Sequence, residues 1–411
     1  MPVFKPFHGL VPTVERVEQV AAVPYDVVNS KEAAALAAGN PYSFLHVSRP
    51  EIDMEEGIDL YRDEVYAQAR KNFEKVIAEA PLTVDKEAHL YIYKLVMGEQ
   101  VQTGVFGAAS AVDYAENRIK KHEKTRQDKE DDRTRHVMTL RSHTGPAFFT
   151  YKDVPAIDAL VAAECAKAPL FDFTAPDGIK HTLWRVDAAT SEKMAEMFAA
   201  IDYFYIADGH HRSAAAARTM KECMPANPNH TGDEDYNYFL AAAFPASQLK
   251  ILPYNRVVKD LNGLTAEAFL DKLAEKFTVE KTSNPSPEKS GTFRMYLGKQ
   301  WYALAPKFDT ASLGVIERLD VSVLQDNVLA PLLGIGDPRT DKRIDFVGGI
   351  RGTGELERLV DGGKAEVAFS MYATTLDQLM DIADAGEIMP PKSTWFEPKL
   401  RDGLVVHNFK C

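Results

Sequence analysis

The segment Asp208-Gly209-His210-His211-Arg212 gathers residue types that do chemistry on anions. A carboxylate, a glycine, two imidazoles and a guanidinium follow one another directly. Apolar and aromatic residues, Tyr203-Phe204-Tyr205-Ile206-Ala207, run up to the carboxylate, and small residues, Ser213-Ala214-Ala215-Ala216-Ala217, follow the guanidinium. The pattern predicts a buried strand, a tight turn and a helix N-terminus. Gly209 allows the sharp turn and a close approach of ligand to backbone. The helix start offers unpaired N–H groups and a positive dipole end, which suit a phosphate. Arg212 can add a bidentate grip on the same anion. Asp208 is placed to orient a histidine or to help hold a metal such as Mg²⁺. Singly, these residues have plainer readings: Asp208 as a helix cap, either histidine as a satisfied polar group. Together they read as a site, because perturbable groups are concentrated where a strand meets a helix.

A second stretch, from Asn117 to His136, is dense in charge. Such a run is ordinarily a solvated helix laced with i,i+4 pairs, and that reading stays open. As a helix it sets Lys129, Arg133 and His136 on one face, a cationic surface able to grip phosphates. Glu123 can act there as a base or as a metal ligand.

The elements that must position these groups read as interspersed helices and strands. Prolines at Pro2, Pro6, Pro12 and Pro24 keep the opening segment extended. Asp26, between apolar residues, either caps the alanine-rich helix around Lys31 to Ala38 or faces a site. A long amphipathic helix is expected from about Gly57 to Ala80. His89 to Met97 and Val101 to Val112 read as a hairpin across Gly98-Glu99-Gln100, the returning strand closely packed because it is rich in glycine and alanine. Leu249 to Val258 reads as one strand, with Arg256 available to a ligand or to a structural ion pair. The tail Met389-Pro390-Pro391-Lys392-Ser393-Thr394 suits an anion or a packed structural end. A composition shift gives a soft boundary near Val258, so the expected domains are 1–258, carrying the Asp-Gly-His-His-Arg site, and 259–411, an α+β region. Recurring hairpins argue against an all-parallel sheet, and the expected class is α+β or mixed α/β.

The chain has 411 residues, 45% hydrophobic and 26% charged, which is ordinary for a globular protein with a sizeable core. A net charge of -12 argues against general nucleic-acid binding. No stretch is long and apolar enough to span a bilayer, and no apolar leader opens the chain. Cys165, Cys223 and Cys411 are far apart in the sequence and form no metal-finger pattern; free thiols in a reducing cytoplasm are expected. An oligomer is left open.

Several separated motifs together resemble a bacterial and archaeal family catalogued as domain of unknown function 1015. They are Ala207 to Arg212, His122-Glu123-Lys124-Thr125, Val23-Pro24-Tyr25-Asp26 and Met389 to Thr394. The resemblance covers essentially the whole chain but brings no activity. The Asp-Gly-His-His-Arg segment also resembles the ParB and sulfiredoxin superfamily, which includes free serine kinases. That second resemblance implies a ParB/sulfiredoxin-like nucleotide-binding core with additional mixed-sheet regions. It makes Asp208, Gly209, His210, His211 and Arg212 the phosphate and metal cluster and Glu123 the base on a serine hydroxyl. The alanines after Arg212 depart from the bulkier residues expected of relatives. Sulfiredoxin chemistry needs a cysteine in this motif, and none is present; the acidic balance speaks against a DNA-partitioning role.

The first reading is therefore a nucleotide-dependent phosphotransferase on a small hydroxyl metabolite, serine or phosphoserine favoured, using ATP or ADP with Mg²⁺. Lys129 and Arg133 would add positive charge. No Walker loop is present, so a P-loop kinase is not expected. Run toward water, the same site is a phosphatase or nucleotidase. The alternative of another class is a nucleotide-binding regulatory protein without turnover. A metal hydrolase built on His210, His211 and Asp208 ranks last, because adjacent histidines point differently along a helix or strand.

Overall fold

The computed structural model describes residues 1–411. It is a mixed α/β structure with several sheets, divided into two units: residues 1–249 with 398–411, and residues 250–397. Val258, where composition suggests a boundary, ends a strand inside the second unit. No helix is long and apolar enough to cross a membrane.

The first unit is built on a nine-stranded sheet. Its strands are β1 (Phe4–Lys5), β2 (Tyr91–Met97), β3 (Gln100–Ser110), β4 (Ile119–Lys120), β5 (Ala147–Tyr151), β6 (Phe171–Thr174), β7 (Lys180–Arg185), β8 (Phe204–Asp208) and β9 (Tyr238–Pro245). The order across the sheet is β4-β8-β5-β9-β3-β2-β7-β6, with β1 paired to β3. β4 with β8 and β5 with β9 are parallel pairs; the remainder are antiparallel. The expected hairpin is β2–β3. Its glycine content has the expected cause: a Cβ on Gly107 would come within 2.5 Å of the Phe4 ring. β9 is buried along its whole length, as a central strand covered on both faces must be.

Helices flank this sheet: α1 (Ser30–Ala37), α2 (Asp63–Glu79), α3 (Gln127–Leu140), α4 (Pro155–Cys165), α5 (Ala188–Phe198) and α6 (His210–Cys223). α1 is capped by Asn29 in a reciprocal capping box with Glu32, so Asp26 does not cap it. The charged run is not one helix. It opens as β4, passes through a turn holding His122 and Glu123, and becomes helical only at Gln127.

Residues 398–411 rejoin the first unit. Val406–Asn408 pairs with Gly9–Val11 and with Ser142–His143, and Cys411 forms a disulfide with Cys223, Cα to Cα 5.2 Å. This corrects the expectation of free thiols, which holds for Cys165 alone. Sequence distance hid the pair because the returning segment brings the two cysteines together.

The second unit holds a six-stranded antiparallel sheet: β10 (Tyr254–Val258), β11 (Phe277–Thr282), β12 (Phe293–Leu297), β13 (Gln300–Pro306), β14 (Ile344–Gly348) and β15 (Val367–Ser370), in the order β11-β13-β12-β15-β10-β14. The strand expected over Leu249 to Val258 is broken at Pro253, which has no N–H for a ladder. Lys250–Leu252 pairs instead with Trp395–Glu397. Arg256 is buried in this unit and donates to the Tyr254 and Lys392 carbonyls.

Candidate active site

β8 carries buried Phe204, Tyr205, Ile206 and Ala207 to the sheet end and delivers Asp208 there. Gly209 then turns the chain at φ 89, ψ 32, a left-handed conformation that glycine adopts without strain. A Cβ at this position would also meet the Ala147 backbone at 3.2 Å. α6 starts at His210, and its buried Ala214, Ala215, Ala216 and Ala217 let it lie close to its neighbours, α3 among them. The sequence-predicted strand, turn and helix are thus present in order.

Asp208 is enclosed by donors. Its Oδ1 accepts from the Gly209 N–H at 2.7 Å and its Oδ2 from Lys399 Nζ at 3.0 Å. Burial opposes its ionisation, but Lys399 and Arg212 outweigh that and hold the carboxyl well below the usual range.

The two adjacent histidines diverge. His210 is 5% exposed and meets His122 edge to face, ring centroids 4.5 Å apart. Its Nδ1 lies 3.9 Å from Glu123 Oε2. His211 turns the other way, its Nε2 accepting from the Arg126 N–H at 3.2 Å. Burial lowers the basicity of all three rings; His122 falls to about 4, and for His210 the neighbouring His122 adds to the effect. Each is neutral near pH 7.

Arg212 is buried and already held. One terminal nitrogen donates to the Pro146 carbonyl at 2.7 Å and the other to both oxygens of Asp26, at 3.1 and 2.9 Å. Its guanidinium sits 5.6 Å from the centre of the Tyr25 ring, and that of Arg133 lies 4.1 Å from the same ring. Burial works against the Arg212 charge, but Asp26 and Asp208 more than restore it. Asp402 adds a buried carboxyl that burial pushes up to about 7, against the pull of Arg212.

The structure therefore gathers Glu123, Asp208, Gly209, His210, His211, Arg212 and Arg133. Lys129 donates its amine to the Tyr61 hydroxyl at 2.9 Å and is near enough to His211 for its charge to lower that ring's basicity. His136 is committed to the Val47 carbonyl. Sequence reasoning assigned no role to His122, Tyr25, Asp402 or Lys399. The first two sit beside residues it singled out; the last two carry no local signal, since only the returning chain brings them in. Asp208, read as a metal ligand, has both oxygens engaged by a backbone N–H and an ammonium. A cavity of 710 Å³ in the same unit, lined by Ala34, His46, Asp53, Lys71 and Asn72 among others, shares no residue with this cluster.

Residues 4–322 match the family described as "Protein of unknown function (DUF1015)", and the chain belongs to that family. No curated protein matches it. Among solved structures it is similar to a free serine kinase in complex with AMP, at 14% identity and TM-score 0.34, covering 71% of this chain and 86% of that one. It is likewise similar to a conserved hypothetical protein from Pyrococcus furiosus, at 15% identity and TM-score 0.35, covering 75% and 96%. A third is SbnI with C-terminal truncation from Staphylococcus aureus, at 10% identity and TM-score 0.38, covering 72% and 85%.

Proposed function

We propose that the protein is a nucleotide-dependent phosphotransferase acting on a small hydroxyl metabolite, with serine or phosphoserine the favoured class. The observation that carries this reading is the meeting of Glu123 with His210 at the first residue of α6, Oε2 to Nδ1 3.9 Å. The Glu123 carboxylate is half exposed, and His210, the side chain it meets, opens a 14-residue helix whose first-turn N–H groups have no intrahelical partner. This supports reading Glu123 as a proton acceptor and the start of the helix as an anion cradle. A ParB/sulfiredoxin-like nucleotide-binding core, suggested by the Asp-Gly-His-His-Arg motif, is part of the proposal.

ATP or ADP would be the phosphoryl donor and substrate. The backbone N–H groups of His210, His211 and Arg212 hold the transferring phosphoryl, and Arg212 and Arg133 supply the surrounding positive field. The acceptor hydroxyl gives its proton to Glu123 as its oxygen forms the new O–P bond. The O–P bond to the shortened nucleotide breaks, and the leaving phosphate oxygen keeps the electron pair. Asp208 fixes the turn through Gly209 and Lys399. No step is routed through Mg²⁺.

The test is a thermal-shift screen of wild type and Glu123→Gln against ATP, ADP, pyrophosphate, serine and phosphoserine, followed by turnover assays with each stabilising pair. Ligands of the native state raise its apparent stability by mass action. Nucleotide shifts in both proteins, with transfer lost only in Glu123→Gln, are expected. Absence of any nucleotide shift in wild type overturns the reading. Tight nucleotide binding with no acceptor turned over replaces it with the regulatory one.

A further inference from the structure

We propose that His122, Glu123 and His210 form a binding site for a divalent transition cation of the zinc class. One ligand atom from each residue lies within 4.8 Å of the other two. Three atoms ligating one Zn²⁺ at about 2.1 Å in a tetrahedral array stand roughly 3.4 Å apart. His210 Nδ1 and Glu123 Oε2 are already at 3.9 Å, and the Glu123 side chain is 49% exposed.

The second observation is independent of that spacing. His122 is 2% exposed, and the Ile206 backbone can engage one of its ring nitrogens at most, so at least one buried nitrogen is left without a hydrogen bond. Buried polar atoms in native proteins are nearly always satisfied, and each exception calls for a partner. A divalent cation is a partner that two edge-to-face imidazoles and a carboxylate can share. His143 and His407 provide the contrast. They are stacked and also have unpaired nitrogens, but the aromatic rings of Phe7, Phe239 and Phe409 pack around them and no carboxylate joins them. That pair reads as core.

The donor set selects the metal. Mg²⁺ takes oxygen ligands in near-ideal octahedral geometry, whereas two imidazoles and one carboxylate suit Zn²⁺, Co²⁺ or Fe²⁺. Three protein ligands leave a coordination position for water or a substrate oxygen. Glu123 has two oxygens, so one can ligate while the other accepts a proton. The metal site therefore stands whether or not phosphoryl transfer is the reaction.

The experiment uses tag-free full-length protein stripped with EDTA. Zn²⁺ is titrated by calorimetry and Co²⁺ by visible absorption, in the absence of nucleotide. One equivalent of Zn²⁺ bound in the presence of excess Mg²⁺, with Co²⁺ d–d bands, is expected. Glu123→Gln, a surface-side change that keeps the fold, should weaken Zn²⁺ by about ten-fold or more, and His122→Gln should remove the d–d bands. Folded wild type that takes up no Zn²⁺ overturns the proposal. So does uptake that is the same in wild type and Glu123→Gln, which would place the ion elsewhere.

Discussion

Lys399 Nζ lies 3.0 Å from Asp208 Oδ2, an ion pair between residues 191 positions apart. The side chains are only 15% and 28% exposed, so removing the ammonium strands a largely buried charge at the end of β8. Lys399→Met should destabilise the protein by about 3 kcal/mol. Asp208→Asn in the same chain should return much of that loss, because no charge is then left unpaired. Urea unfolding of the two single variants and the double variant measures the coupling; simple additivity would show the pair to be energetically unimportant.

Gly209→Ala tests the turn. The left-handed φ and the 3.2 Å approach of an added Cβ to the Ala147 backbone act together. The expected loss is roughly 2 kcal/mol of stability, with loss of nucleotide and phosphate binding in the surviving folded protein. Calorimetric melting and a pyrophosphate titration read the two effects separately.

Asp402 sets a pH dependence of definite sign. Its folded pKa, about 7, is above the ordinary carboxyl value. Between roughly pH 4 and 7 the folded state therefore holds a proton that the unfolded chain has lost. Stability from this group is present at low pH and falls as pH rises through 7. Asp402→Asn should match wild type near pH 4 and exceed it by on the order of 4 kcal/mol at pH 8. The buried neutral histidines act in the opposite direction, destabilising the protein in acid, but they are common to both chains and cancel in the difference. Equal stability of the two proteins at pH 8 would refute the assignment.

Reducing the Cys223–Cys411 bond releases a loop closed over a sequence separation of 188. The chain-entropy account gives about 5 kcal/mol for a loop of that size. Melting with and without reductant should show a drop of several degrees, and Cys165→Ser should leave it unchanged because that residue is not in the bond.

Local pattern carried much of this architecture and stopped where partners come from afar. Strand, turn and helix around Gly209 were legible because burial, a glycine and a run of alanines adjoin in sequence. The β2–β3 hairpin and α2 were legible from alternation and helical spacing. The charged run misled because charge alone does not distinguish a turn from the helix that follows it: Glu123 lies in the turn, Lys129 on the helix. Asp26 looked like a cap because it precedes a helix, but Asn29 is nearer and forms the box. Arg212 looked like a free anion grip because its counter-charge, Asp26, is 186 residues away. His122 was visible, but only the edge-to-face packing on His210 gives it meaning.

The second unit lies within the sequence of the first, and this has a consequence for synthesis. A ribosome emits residues 250–397 before residues 398–411, and domains generally fold as units while the chain emerges. The inserted unit can reach its final state while its host is still waiting. A nascent chain stopped before residue 398 carries every residue of the Asp-Gly-His-His-Arg segment yet lacks the ammonium of Lys399 and the strand at Val406–Asn408. The charge facing Asp208 therefore arrives only after the whole inserted unit has been made, so a chain stopped short of Lys399 leaves that carboxylate without its ammonium even though all the residues of the segment are already in place.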